Sequence, residues 1–274
     1  MTPNRLNELK IAAKETRLDV VKMCYACGEE KAHLGGMLSC VEIVDSLYLE
    51  IMNLSPNMSN YDERDRFILS KGHAAFTLYS ALYKKGFLSA RDLSCDVRGD
   101  NTVIYRHCRM NVPKGIEFSA GSLGLGMSFA VGTAYALKKA KNPAKVFVLL
   151  GDGECNEGIV WESAAFAAQH NLDNLTVIVD KNNLQLDGRT CDVLDMSNMS
   201  ERFSAFGFDS LKIDGHDFIQ LEKAYKFKSR KPKAIIANTV KGKGISFAEN
   251  SLLWHSNIIT DELYATALKE LGCL

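Results

Sequence analysis

The sequence predicts an α/β fold in which a mostly parallel sheet carries helices on both faces. Three observations lead there. Short β-rich apolar runs alternate with longer helical patterns along the 274 residues. The runs are continuously apolar rather than alternating, and no repeat, low-complexity tract or Pro/Gly/Ser-rich linker interrupts them. Continuous apolarity implies burial on both sides of a strand, as in a sheet sandwiched between helices. The length suffices for a sizeable core, so one domain spanning residues 1–274 is expected.

The N-terminal stretch "MTPNRLNELKIAAKETR" is too polar for a secretory segment, and no apolar run approaches the roughly 20 residues that span a bilayer. A cytoplasmic protein is expected, without a membrane partner. Lys plus Arg and Asp plus Glu each count 33, so net charge offers no general attraction for nucleic acid or acidic lipid. The cysteines at 24, 27, 40, 95, 108, 155, 191 and 273 lack the paired spacing of a disulfide framework. Reduced thiols are expected. Cys24 and Cys27 lie in an amphipathic helical pattern with no second pair to complete a zinc site, which makes them structural.

Further along, Cys40, Val41, Ile43, Val44, Leu47, Tyr48 and Ile51 follow the spacing of an amphipathic helix. Strands are expected at "RFILS" from 66, "KVFVLL" from 145, "LTVIV" from 175, "SLKI" from 210 and "AIIANTV" from 234. Between the first two, Gly121 to Ala140 reads as a helix entered through glycines. Its small residues permit close packing against the sheet or a partner helix. The order there is Gly-x-x-Gly-x-Gly with no strand directly before it, which disfavours a dinucleotide-binding Rossmann motif and a dehydrogenase.

Two polar clusters follow two buried runs. After "VFVLL" comes Gly151-Asp152-Gly153, and after "LTVIV" comes Asp180-Lys181-Asn182-Asn183-Leu184. In an open parallel sheet, ligands sit beyond the carboxyl ends of the strands. One carboxylate (Asp152), one amide oxygen (Asn182) and one backbone carbonyl (Leu184) form an incomplete oxygen shell for a hard cation, leaving positions for water and phosphate oxygens. The reading is a divalent metal holding a diphosphate, with N–H donors from Gly153 and the helix beginning near Glu157. Taken singly, Gly-Asp-Gly is a turn and Asn-Asn a helix cap; their pairing at the ends of successive strands favours the binding reading.

These motifs resemble the thiamine-diphosphate motif, and the chain around them resembles a transketolase. The likeness runs from "KAHLGGMLS" at 31 through "LSKGHA" at 69, "RHCRMNVPKGIEFSAGSLGLGMS" at 106 and "GDGECNEG" to "TVKGKGISFAEN" and "WH" ending at 255. It implies the thiamin diphosphate-binding fold and its diphosphate-binding domain. By the same resemblance, Asp152, Asn182 and the Leu184 carbonyl would hold Mg2+ or Ca2+. Gly153 and Glu154 would lie at the diphosphate, Gly121 and Leu123 at the aminopyrimidine edge, and Glu157 at a subunit interface, communicating with the partner's cofactor-activating glutamate. His73 and His255 would touch the diphosphate, while His33, His107 and His255 would line the approach to the thiazolium carbon, bind a ketose donor and shuttle protons. His170 reads instead as a helix C-terminal residue favoured by the dipole, and His216 falls in no motif.

The resemblance implies a two-carbon ketol transfer from a ketose phosphate donor to an aldose acceptor. Because a transketolase takes its activating glutamate from a pyrimidine-binding domain, and few residues follow His255 here, the chain resembles the N-terminal subunit of a split enzyme. The implied assembly is a dimer of heterodimers with a separate C-terminal subunit. Two departures from the family pattern bear on substrate. Arg106-His107-Cys108 stands where many members have Gly-His-Pro, with Arg109 beyond, and His255-Ser256 stands where His-Gly is common. The two arginines are either solvated charges or a fork for an anionic sugar terminus, which keeps open a donor such as a sulfo-sugar or branched-sugar phosphate. Two other readings remain: the α subunit of a thiamine-dependent 2-oxoacid dehydrogenase, which lacks the "LSKGHA" and "VKGKG" context, and a non-catalytic or regulatory cofactor-binding subunit.

Overall fold

The computed structural model describes residues 1–58, 61–94 and 102–273, so Cys95 lies outside the described residues. The strands are β1 (Arg66–Leu69), β2 (Val146–Gly151), β3 (Leu175–Lys181), β4 (Leu184–Gln185), β5 (Gly188–Arg189), β6 (Asp209–Asp214) and β7 (Lys233–Asn238). Five of them form a parallel sheet in the order β1-β2-β3-β7-β6, and β4 and β5 form a short antiparallel hairpin. All five apolar runs singled out in the sequence are strands of the sheet.

Continuous apolarity translates into two cores. Successive strand residues point to opposite sides. Val146, Val148, Leu150, Val177 and Val179 enter one core, and Phe147, Leu149, Ile178 and Ile235 enter the other. The helices Leu125–Lys139, Gly158–Gln169 and Met199–Ala205 close the first core through Met127, Ala130, Val160, Ala164 and Phe203. The helices Pro3–Ala26, Ala75–Lys84 and Phe218–Lys226 close the second through Leu9, Val20, Phe76 and Leu221. Each fully buried Val, Leu, Ile or Phe contributes about 1.5–3 kcal/mol, which fixes the sheet as a stiff platform. Among the described residues, no helix is long and apolar enough to cross a membrane.

The stretch Cys40 to Ile51 departs from the simple amphipathic expectation. It is α-helical over Val41–Ser46 and widens to a π turn over Leu47–Ile51, where Met52 N–H bonds to the Leu47 carbonyl at 2.8 Å. Its polar side is buried too. Glu42 pairs with Arg17 at 2.7 Å, and Asp45 accepts from the Thr16 hydroxyl at 2.8 Å. A helix wedged between three others has no solvated face, and buried carboxylates persist there because hydrogen bonds satisfy them. Cys24 and Cys27 are buried thiols, Cys24 against Met37 Sδ (3.7 Å) and Cys27 donating to the Met23 carbonyl (3.4 Å).

The glycine-entered helix begins at Leu125, later than expected. Gly124 before it has φ +80°, and a Cβ there would lie 2.6 Å from Ile159 Cγ2. Its small residues serve its inner face, where a Cβ on Gly126 would lie 2.5 Å from the Ser70 side chain. Gly132 has open space around it. Gly126→Ala should therefore cost about 1–3 kcal/mol by overpacking against Ser70. Gly132→Ala should stabilise the helix by about 0.5–1 kcal/mol. Urea denaturation of the two variants reads the opposite signs.

Candidate active site

Parallel strands deliver their C-terminal ends to one edge, and there β1, β2, β3 and β7 each release a polar loop. In-register pairing of Gly151 with Asp180 brings the two polar clusters side by side. They border a cavity of about 370 Å³ lined by Lys71, His73, Asp152, Asn182, Lys241 and His255 among others.

The three residues expected to grip a cation, Asp152, Asn182 and Leu184, all line this cavity. Asp152 is buried, its carboxylate accepting the N–H groups of Gly153 (2.9 Å) and Asn183 (2.5 Å), and Asn182 Oδ1 accepts from Leu184 N–H at 3.1 Å. Turn chemistry and a place in the cavity lining thus coexist in Asp152 and Asn182. Asn183, with φ +64°, makes the second turn. Burial, and then Asp180 nearby, push the Asp152 carboxyl up to about 6. The Leu184 carbonyl accepts from Lys241 Nζ at 3.1 Å. No group of three or more His, Cys, Asp or Glu among the described residues could hold a metal. A hard cation would depend on this mixed carboxylate, amide and carbonyl set.

Beneath lies a feature the motifs did not announce. Lys71 is buried and pairs with buried Asp180, while also donating to the Gly36 carbonyl at 2.9 Å. Asp180 further accepts from the hydroxyls of Ser39 (2.5 Å) and Thr239. Burial alone would lower the Lys71 pKa, but Asp180 raises it overall. Asp180 shifts down despite burial because Lys71 and the hydroxyls hold its charge. Both are ionised. Lys241, pushed down to about 8 by burial and by Lys71, also reaches His255 Nδ1 at 3.0 Å. The backbone carrying Lys241 is held by His216, whose Nε2 accepts from Val240 N–H (2.9 Å). Its Nδ1 must then carry the proton toward Glu42 (2.9 Å). These lysines stand inside "LSKGHA" and "VKGKG"; a lysine between glycines at the end of a buried strand was the available signal.

The four motif histidines form one cluster. The His33 ring lies 5.6 Å from His73, 5.4 Å from His107 and 5.6 Å from His255, and His73 lies 5.7 Å from His255, centroid to centroid. All four are held below the usual histidine range by burial first. The next cause is His107 for His33 (down to about 3), Lys71 for His73, Lys241 for His255 (down to about 4) and Arg106 for His107. They are neutral imidazoles at pH 7. His33 Nδ1 is buried without a hydrogen-bond partner.

Leu123, Gly153, Glu154 and Glu157 also line the cavity, whereas Gly121 lies outside its lining. The Glu154 carboxylate is turned away into the fold, accepting from Ser70 and from Gly124 (2.8 Å) and Gly151 (3.0 Å). Glu157 is exposed, with no hydrogen-bond partner for its carboxylate among the described residues. His170 caps its helix and packs on Phe166 and Tyr135, ring centroids 4.3 and 4.9 Å away. Arg106 pairs with Glu30 at 2.9 Å, and Arg109 lies 4.1 Å over the Tyr105 ring.

Residues 12–273 match the family described as "Transketolase, thiamine diphosphate binding domain". The chain belongs to the transketolase family. It is 37% identical to one of the subunits of the apulose-4-phosphate transketolase of Phocaeicola vulgatus, over 98% of this chain and 95% of that protein. It is 38% identical to the 6-deoxy-6-sulfo-D-fructose transketolase subunit SqwG of a Clostridium species, over 87% of this chain and 88% of that one. The solved transketolase of Campylobacter jejuni matches at a TM-score of 0.86 and 32% identity, covering 99% of this chain and 43% of that chain. This transketolase-family chain therefore spans nearly the whole of two subunits but under half of that enzyme.

The residues present fit thiamine diphosphate. Two lysine ammonium groups and the oxygens offered to a cation line one cavity, Lys241 touching the Leu184 carbonyl itself, and the buried, partnerless His33 Nδ1 stands among the histidines beside it. The neutral histidines give a sign to acid stability. An unfolded chain protonates them near pH 6.5. The fold refuses the proton until about pH 3 at His33 and about pH 4 at His255. The unfolded state then binds more protons, and stability falls as pH drops through that window. His33→Gln should flatten the fall in melting temperature between pH 6.5 and 3, measured by thermal scans.

Proposed function

We propose that this chain is the N-terminal subunit of a split transketolase, moving a two-carbon ketol unit from an anionic ketose to an aldose. All 274 residues then form one diphosphate-binding domain. The observation that carries the reading is the cluster of four neutral imidazoles beside two buried lysines and an oxygen-lined wall. The cysteines lack the paired spacing of a disulfide framework, which suits a reducing compartment such as the cytoplasm.

Asp152, Asn182 and the Leu184 carbonyl would hold Mg2+ or Ca2+. A cation on that carbonyl would free Lys241, which with Lys71, His73, His255 and the Gly153 N–H would meet the diphosphate oxygens. When bound, thiamine diphosphate supplies the electron sink for breaking and making the C2–C3 bond. The protein's own part is orientation and proton transfer. His33, His107 and His255 bind the C1 hydroxyl and carbonyl oxygen of the donor. As neutral imidazoles they can also accept the proton of the C3 hydroxyl, a role closed to imidazolium. Leu123 gives the cavity an apolar wall, and Glu154 fixes the Gly124 and Gly151 amides that shape it.

The partner in this reading is a C-terminal subunit with a pyrimidine-binding domain, in a dimer of heterodimers. Exposed Leu125, Phe129 and Phe166 give the helices beside the cavity an apolar outer face suited to another chain, and the unpartnered Glu157 stands at the same edge. An anionic donor is favoured because the two similar subunits are named for a sugar phosphate and a sulfo-sugar.

Co-expression with candidate pyrimidine-domain chains, followed by assay with thiamine diphosphate and Mg2+, should reveal ketol transfer that neither chain performs alone. Full activity of this chain by itself would refute the split-subunit reading. In the reconstituted complex, Asp152→Ala should lower metal-dependent kcat/KM by more than about 100-fold, beyond what residues behind the ligands usually cost. Unchanged activity would point instead to a chain without a chemical role.

A further inference from the structure

We propose that His216, Glu42 and Arg17 form a positioning device that fixes the backbone on either side of Lys241 and so aims its ammonium at the diphosphate. The inference rests on the transketolase reading of the cavity and deepens it by naming what holds one of its two lysines in place.

Lys241 stands in a loop that does not hold its own shape. Gly242 and Gly244, with φ +77° and +92°, flank Lys243, and glycine leaves a backbone the widest choice of conformations. An ammonium on a flexible four-carbon stem is placed no better than the backbone it hangs from. Bonds from outside must therefore fix the loop. Three come from neighbouring backbone: the Gly242 N–H donates to the Gly35 carbonyl at 2.9 Å, the Thr239 N–H donates to the Lys181 carbonyl at 3.1 Å, and the Lys241 carbonyl accepts from the Asn250 N–H at 2.9 Å. Two more come from side chains. The Val240 N–H donates to His216 Nε2 at 2.9 Å, and the Lys243 carbonyl accepts from Arg17 Nε at 2.8 Å.

Glu42 joins these two contacts into one unit. Its Oε2 accepts from His216 Nδ1 at 2.9 Å and its Oε1 from Arg17 at 2.7 Å. The Val240 N–H can only donate, so Nε2 must be bare and Nδ1 must carry the hydrogen toward Glu42. The carboxylate thus sets the tautomer that the loop requires. Arg17 comes from the helix Pro3–Ala26, Glu42 from the helix Val41–Ser46 and His216 from the turn after β6, where a Cβ on Gly215 would lie 2.5 Å from Thr239 Cγ2. None of the three side chains lines the cofactor cavity. What they deliver to it is Lys241, whose Nζ reaches the Leu184 carbonyl at 3.1 Å and His255 Nδ1 at 3.0 Å. Apolar side chains could fill the same space, but they would leave the Val240 N–H and the Lys243 carbonyl unclaimed.

Binding is measured by calorimetry with Mg2+ present and with inorganic pyrophosphate and thiamine diphosphate as probes, on this chain alone and on the reconstituted complex. In His216→Asn the amide can still donate to Glu42 but no longer reaches Val240, so the Kd of both probes should rise roughly 3- to 10-fold, the worth of one hydrogen bond. His216→Gln, whose amide oxygen can accept from the Val240 N–H, should recover part of that loss. In a Lys241→Met background, His216→Asn should change Kd by less than about 2-fold, because the ring acts through the ammonium. A full, additive loss in that background would make His216 a general support of the fold, and wild-type affinity in His216→Asn would make it idle. Either result overturns the inference and leaves the transketolase reading intact. A reconstituted complex that shows this binding pattern yet transfers no ketol unit would overturn that reading alone, and a wild-type protein that binds neither probe in either form would overturn both.

Discussion

The buried ion pair between Lys71 and Asp180 organises everything above it. Asp180 lies at the end of β3, Lys71 follows β1, and Thr239 and Ser39, which complete the Asp180 shell, follow β7 and the helix Leu34–Leu38. Lys71 also holds the Gly36 carbonyl. One carboxylate and one ammonium therefore tie four chain segments into a single floor. Burying two charges costs several kcal/mol each unless hydrogen bonds fill their remaining positions. The hydroxyls and the carbonyl do that here, so the pair tolerates burial only in this one arrangement of loops. A hydrophobic replacement would pack, but it would not dictate where each loop leaves the sheet.

That floor sets the electrostatics of the pocket. Lys71 lowers the proton affinity of His73 and, together with burial, that of Lys241, which in turn acts on His255. Burial first, and then positive charge beneath His73 and His255, keeps the imidazoles neutral, and neutral imidazole can both give and take a hydrogen bond. The site therefore sets paired charges underneath imidazoles that stay uncharged where protons would be exchanged, a separation that surface histidines with ordinary pKa values would not provide.

Much of this was legible in the sequence, for physical reasons. The five strands were visible because burial on both faces demands continuous apolar runs, and Asp152 and Asn182 because each follows such a run directly. The histidines became legible through their motifs. What stayed hidden depends on tertiary contact. The π turn at Leu47–Ile51 reflects packing that a 3.6-residue period does not record, and the buried polar side of the Val41–Ser46 helix needs Arg17 and Thr16 from a distant helix. Lys71 and Lys241 look like surface lysines until Asp180, Leu184 and His255 are seen around them. Glu154 lines the cavity, as its place in the motif suggested, while its carboxylate bonds to Ser70, Gly124 and Gly151, contacts that the sequence does not record.

The site is rigid at its base and loosely held at its rim, and the contrast has a chemical logic. Cofactor chemistry needs fixed positions, which buried pairs and close glycine contacts supply; a Cβ on Gly36 would lie 2.9 Å from the His73 ring, so that ring and the backbone beneath it are locked together. Substrate choice needs contacts that can change without disturbing the base. Arg106 and Glu30 are exposed and weakly paired, and the Glu157 carboxylate has no hydrogen-bond partner among the described residues, so each can be satisfied from outside. Since Glu157 lines the cavity and is exposed, a neighbouring chain can meet it without repacking of the floor.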